Sequence, residues 1–138
     1  MPVHADPERL ADMAQRDPDQ PVFMLNLLRY RDTAETGHGV DGMSGRDAYG
    51  EYGRKFAQLN PRFGGEPVYM GRVGAGVIVE DGEEWDAMIL VRYPTRRQFV
   101  EMLADPDYQA IAPIRAAALA DSRLIETTDL LGTHTPAD

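Results

Sequence analysis

Apolar positions fall at two spacings along the chain, and the switches between them mark its elements. Pro7 to Asp17 (PERLADMAQRD) carries a thin stripe of Leu10, Met13 and Ala14 at helical steps. Asp6 is placed to cap this helix, and Pro7 suits the first helical position, where its missing N–H costs nothing. Pro21 to Tyr30 (PVFMLNLLRY) is almost continuously apolar, with Asn26 the one polar interruption of the run. That is the pattern of a strand covered on both faces or central in a sheet. Arg31 to Gly45 has no period and is rich in Gly, Asp and Thr; loops of that length are commonly functional or mobile.

From Ser44 the helical spacing returns. SGRD sets Asp47 three residues after Ser44, close to a capping box. Tyr49, Tyr52, Phe56, Leu59 and Phe63 then recur on one helical face. Asn60-Pro61 begins to close the helix and Gly64-Gly65 ends it. Glu66 to Glu80 alternates at Val73, Ala75, Val77 and Val79, which predicts a long strand with a bend or bulge at glycines 71, 74 and 76. Asp81-Gly82 predicts a tight turn and Glu84 to Tyr93 the returning strand of a hairpin. Pro94 breaks that strand, and TRRQ at Thr95 to Gln98 is a full capping box. Phe99, Met102 and Leu103 supply the apolar face that follows. Asp105-Pro106 restarts a helix in which Tyr108, Ile111, Ala112 and Arg115 share a side. The last strand lies around SRLIETT, within Asp121 to Leu130. The expected organisation is a helical extension over 1–20, one domain over 21–130 and a flexible tail over 131–138.

The order strand, helix, strand, strand, helix, strand is that of a ferredoxin-like βαββαβ fold. This is an α+β class with one antiparallel sheet and its helices on one face. The strands are apolar on both faces, with Val22 beside Phe23 and Ile89 beside Leu90. The face away from the helices therefore calls for a second subunit or an apolar ligand.

Charge and composition remove whole classes of function. The formal net charge is −9, from 23 acidic and 14 basic residues, which disfavours nucleic acid and anionic membranes as partners. Lys55 is the only lysine; an arginine-based basic side suits carboxylate recognition, although a genomic preference explains it equally well. The chain has no cysteine, so disulfides, a thiolate nucleophile and thiolate metal ligands are excluded. Three scattered histidines, at 4, 38 and 134, give no metal-ligand spacing. No apolar run approaches the ~20 residues of a membrane span. The first twenty residues carry acidic side chains and do not form a signal peptide, so a cytoplasmic location is expected. There is no phosphate-binding glycine loop between a strand and a helix and no GxSxG elbow; no cofactor is expected.

Several stretches carry a resemblance. MLNLLRY (Met24 to Tyr30), GRDAYGEYGRKF (Gly45 to Phe56) and GGEPVYMGR (Gly64 to Arg72) belong to it, as do WDAMILVRYPTRRQFVEML (Trp85 to Leu103) and DPDYQAIAPIRAAALADSRLIET (Asp105 to Thr127). Over about Pro21 to Thr127 the chain resembles the DUF1330 family of the dimeric α/β-barrel superfamily. The resemblance implies a homodimer whose two sheets face each other as a barrel, with a pocket between sheet and helices in each subunit. It implies no established reaction. The superfamily includes cofactor-free monooxygenases, muconolactone-type isomerases and haem-dependent enzymes, and fold does not select among them.

The candidate catalytic residues are Asn26, Tyr52, Tyr108 and His38. Asn26 interrupts an apolar strand, and a buried amide needs hydrogen bonds; it either orients a substrate carbonyl or carboxylate or binds neighbouring backbone. Tyr52 and Tyr108 lie on the inner faces of two helices with hydroxyls that need partners. His38 is the one histidine within the domain body and would act as acid–base or, in a haem-linked activity, as axial ligand. The candidate ligand-binding residues are Arg72, Trp85, Asp86, Arg92 and Arg115. Asp86 and Arg92 share a strand face by the two-residue period, and Arg72 lies on the adjacent strand. Trp85 could wall a pocket. Arg115 could anchor an anion or pair with Asp121 or Glu101. Two functions compete: a small cofactor-independent enzyme, of isomerase or monooxygenase type, acting on a small organic acid or aromatic compound, and a non-catalytic small-ligand-binding protein.

Overall fold

The computed structural model describes residues 1–132. The chain runs α1 (Pro7–Ala14), β1 (Val22–Tyr30), α2 (Gly45–Leu59), a 3-10 turn (Asn60–Phe63), β2 (Glu66–Arg72), β3 (Ala87–Tyr93), α3 (Arg96–Ala104), α4 (Pro106–Ala118) and β4 (Leu119–Thr127). All four α-helices start on an oxygen-bearing cap. Asp6, Ser44, Thr95 and Asp105 each accept a backbone N–H of the first turn, and each such cap contributes about 1 kcal/mol.

The strands form one antiparallel sheet in the order β2-β3-β1-β4, the ferredoxin-like topology expected from the element order. Along β1, Val22, Met24, Asn26, Leu28 and Tyr30 point toward the helices, while Phe23, Leu25, Leu27 and Arg29 point away. Val22, Leu28, Tyr93, Met102 and Leu119 are the largest fully buried side chains and fill the layer between sheet and helices. Burying each of the aliphatic ones contributes about 1.5–3 kcal/mol. The Tyr93 hydroxyl donates to Asn60 Oδ1 at 2.8 Å, so the buried phenol and the buried amide satisfy each other.

Glycine is required where α2 meets the ends of β1 and α4. A Cβ on Gly45 would collide with the backbone of Arg31 and Ala118. At the same place Gly45 N donates to Arg31 O and Arg31 N donates to Ala118 O, both at 2.9 Å. Gly64, at φ +73°, closes the 3-10 turn in the left-handed region that glycine adopts without strain.

Two expectations are corrected. The barrel implied by the resemblance is not what the chain forms: four strands make an open sheet, with β2 and β4 at its edges. The hairpin is also shorter than the alternation predicts. β2 ends at Arg72 and β3 begins at Ala87, and these two residues pair with each other. Residues 73–86 form a loop in which Val77 and Ile78 are 92% and 96% exposed. Their alternation has no neighbouring strand within the chain to pair with, so pattern alone does not extend the ladder. The loop between β1 and α2 is pinned by the buried side chains of Ala34 and Val40 and by Ala34 N donating to Met43 O at 2.9 Å. His134 and most of the expected tail lie outside the described residues.

Candidate ligand site between the sheet and the helices

The groups that sequence reasoning singled out on inner faces come together from three elements. Asn26, in the middle of β1, is 9% exposed. Its Nδ2 donates to Met24 O at 3.3 Å and to Ile89 O at 3.4 Å, bridging β1 and β3. Its Oδ1 accepts from Arg115 Nη2 at 3.4 Å. Arg115 sits in the last turn of α4, where a cation also complements the helix dipole. Neither Asp121 nor Glu101 takes it up. Asp121 instead holds Arg123 at 2.7 Å, and no carboxylate of the described residues lies within salt-bridge distance of Arg115.

Arg115 lies near enough to Tyr49 and Tyr52 to act on both electrostatically, and an aromatic cluster packs beside it. The Tyr52 and Tyr108 hydroxyls share a hydrogen bond of 3.2 Å between α2 and α4. Tyr49 packs on Tyr52 with ring centroids 5.3 Å apart and on Tyr30 at 5.9 Å, and Phe56 stacks on Tyr52 at 5.6 Å. Arg46 lies over the Tyr30 ring at 5.1 Å. Burial pushes the Tyr49 hydroxyl up to about 12, against the opposing attraction of the nearby Arg115. Burial, followed by the neighbouring Tyr108 and Tyr49, raises Tyr52 well above the usual phenol range. Both therefore stay protonated around neutral pH and act as hydrogen-bond donors. Tyr30, Tyr49, Phe56 and Arg115 keep part of their surface exposed, so the cluster reaches solvent at one side.

The other candidates lie elsewhere. His38 is exposed on the β1–α2 loop. Arg72 is exposed at the end of β2. Arg92 lies on the far face of the sheet, in register with Phe23 and Glu66. Asp86 precedes β3, and its Oδ2 accepts from Tyr30 N at 2.8 Å, capping the end of β1. Trp85 donates from Nε1 to Glu83 Oε2 at 3.1 Å and lies under Arg123 at 5.1 Å. In the sequence Tyr49 is one of a helical stripe; its spacing from Tyr52 is the signal for its inward side, and only the fold sets it near Arg115. Arg96 is a further anchored arginine: its Nε and Nη2 donate to Glu126 at 2.8 and 3.0 Å and its Nη1 donates to Asp17 O. Nothing local in TRRQ distinguishes Arg96, which is 6% exposed, from the exposed Arg97. No cluster of metal-ligating side chains occurs among the described residues, and no helix among them is long and apolar enough to cross a membrane.

The open antiparallel sheet and its helices place the protein in the α+β class with ferredoxin-like topology. Residues 42–128 match the model of a family described as a domain of unknown function, DUF1330, and the chain belongs to that family. It is similar to the RPA0582 protein of unknown function from Rhodopseudomonas palustris. That likeness is at 35% identity and a TM-score of 0.86, covering 93% of this chain and 96% of that one. The methylated RPA0582 protein matches equally, at 35% identity and 0.86 over 94% and 95% of the two chains. A protein of unknown function from Bacteroides fragilis, described as dimeric and of ferredoxin-like fold, matches at 11% identity and a TM-score of 0.51. It covers 82% of this chain and 100% of that one, and shares the fold alone. No curated protein matches the chain.

Proposed function

We propose that this chain is a small-ligand-binding protein that holds a small organic acid against Arg115, where α2, α4 and β1 meet. The observation that carries the reading is the guanidinium itself. It is half-buried, held in place by Asn26 at 3.4 Å, and has no carboxylate partner among the described residues. A cation so placed favours an anion from outside, and the planar guanidinium fork fits a carboxylate. The partly exposed rings of Tyr49 and Phe56, backed by the buried Tyr52, supply an apolar surface for the rest of the molecule.

Binding is favoured over cofactor-independent catalysis because of what the cluster can do with protons. Tyr49 and Tyr52, with their raised pKa values, donate hydrogen bonds but do not take a proton near neutral pH. His38, the histidine considered for that task, is exposed on its loop. An isomerase-type reaction would need a base that these residues do not supply.

The reading includes a homodimer through the outer sheet face. Leu25, Leu27, Met88 and Leu90 are only partly covered there, and Tyr69 and Ile125 are 57% and 48% exposed. The Bacteroides fragilis relative of the same fold is described as dimeric, which supports a second copy as the partner. The ligand claim is tested by thermal shift against small carboxylates and their neutral amides. Stabilisation by the acids alone, lost in Arg115→Met, is expected; equal effects of acid and amide would refute the anion site.

A further inference from the structure

Fourteen residues, 73 to 86, separate the paired ends of β2 and β3. A connection between adjacent antiparallel strands needs only two to five. The base of the loop is held to the domain, Asp86 by Leu28 O and Tyr30 N and Trp85 by Arg123, while the rest encloses an open cleft of about 410 Å³ lined solely by the loop's own residues. At its tip Val77 and Ile78 are 92% and 96% exposed and Val79 is 52% exposed. Three consecutive aliphatic side chains in water are costly, and they sit in a strand-competent alternation that has nothing in its own chain to pair with. Around them are the carboxylates of Glu80, Asp81, Glu83 and Glu84.

We propose that this loop is an arm that docks on a second copy of the chain, laid across the outer sheet face of the partner. The proposal rests on the homodimer reading and says which parts make it. The two surfaces complement each other in both respects that matter. The outer face is apolar at its centre, at Leu25, Leu27 and Leu90, and carries arginines from three strands: Arg29, Arg92 and Arg123. Arg29 and Arg92 have no carboxylate within salt-bridge distance among the described residues, while the arm brings four carboxylates beside its apolar tip. Reach is sufficient. Between the held Val73 and Trp85, limbs of five to six residues extend to at most about 20 Å, and a four-stranded sheet is about 14 Å across between its outer strands. Two copies related by a two-fold axis would exchange arms, each tip covering the other's sheet.

The test is the oligomeric state by light scattering on a sizing column, across micromolar concentrations, with the full chain. The wild type is expected to be a dimer, and Ile78→Asp to weaken it at least tenfold. Because Ile78 is exposed, that substitution leaves the fold of each copy intact, as circular dichroism will report. Arg92→Glu is expected to weaken the dimer, and Glu84→Lys in the same chain to restore it. A wild type that is monomeric throughout overturns the homodimer reading and the arm with it. A dimer that Ile78→Asp leaves unchanged overturns the arm alone.

Discussion

Arg115 Nη2 and Asn26 Oδ1 meet at 3.4 Å, joining the last turn of α4 to the middle of β1. The amide is committed on its other side to two carbonyls, Met24 O and Ile89 O, on two strands. Asn26 thus orients the guanidinium from a rigid base, and the guanidinium in turn satisfies the one acceptor that the strand has placed in an apolar layer. Asn26→Leu should destabilise the fold by about 1–3 kcal/mol, the cost of leaving buried partners unsatisfied. Urea denaturation measures it; an unchanged midpoint would mean that these bonds are dispensable.

The Arg96–Glu126 pair holds the start of α3 to the end of β4, and both side chains are largely buried, at 7% and 15% exposure. Removing Arg96 leaves the largely buried Glu126 with only the longer contact to the exposed Arg16, at 3.5 Å, and removing Glu126 leaves Arg96 without a carboxylate. Arg96→Ala should cost about 3–5 kcal/mol, whereas Arg96→Met with Glu126→Leu should recover much of it, since an apolar pair avoids desolvation altogether. Equal losses in the single and double variants, by the same denaturation assay, would contradict this account.

Alkali should destabilise the protein in a defined direction. Burial raises Tyr49 to about 12 and raises Tyr52 and Tyr93 as well, so the unfolded chain loses these protons first. The stability they contribute is fully present below the unfolded value near pH 10 and falls as pH rises through the folded values. The slope is about 1.4 kcal/mol per pH unit for each such tyrosine. A tyrosinate absorbance titration should show these phenols ionising late, together with unfolding; full ionisation near pH 10 in the folded protein would contradict their burial.

Much of this was legible in the sequence. The four caps are local signals, and the element order was enough to arrive at the βαββαβ topology. The inward stripe of α2 follows from spacing, and Asn26 announced itself by interrupting an apolar run. What failed was tertiary. Alternation at Val73 to Val79 looks the same whether or not a partner strand exists, so β2 was expected to run past Arg72. Arg92 and Arg115 are chemically alike in the sequence, but strand parity sends the first to the outer face and helix phase sends the second to Asn26. Asp86 was weighed as a ligand group, yet its carboxylate is occupied by the Tyr30 N–H, a contact made across 56 residues of chain.

The central claim is that Arg115 is an anion site, and calorimetric titration of the full chain with benzoate, acetate and neutral benzamide tests it most directly. A charge-assisted hydrogen bond contributes about 1.5–3 kcal/mol, or roughly 10- to 150-fold in affinity. The wild type should therefore bind a carboxylate of the pair and ignore benzamide, and Arg115→Met should lose that binding by this factor while unfolding as cooperatively as the wild type. Failure of both carboxylates to bind the wild type, or equal affinity for wild type and Arg115→Met, would contradict the account.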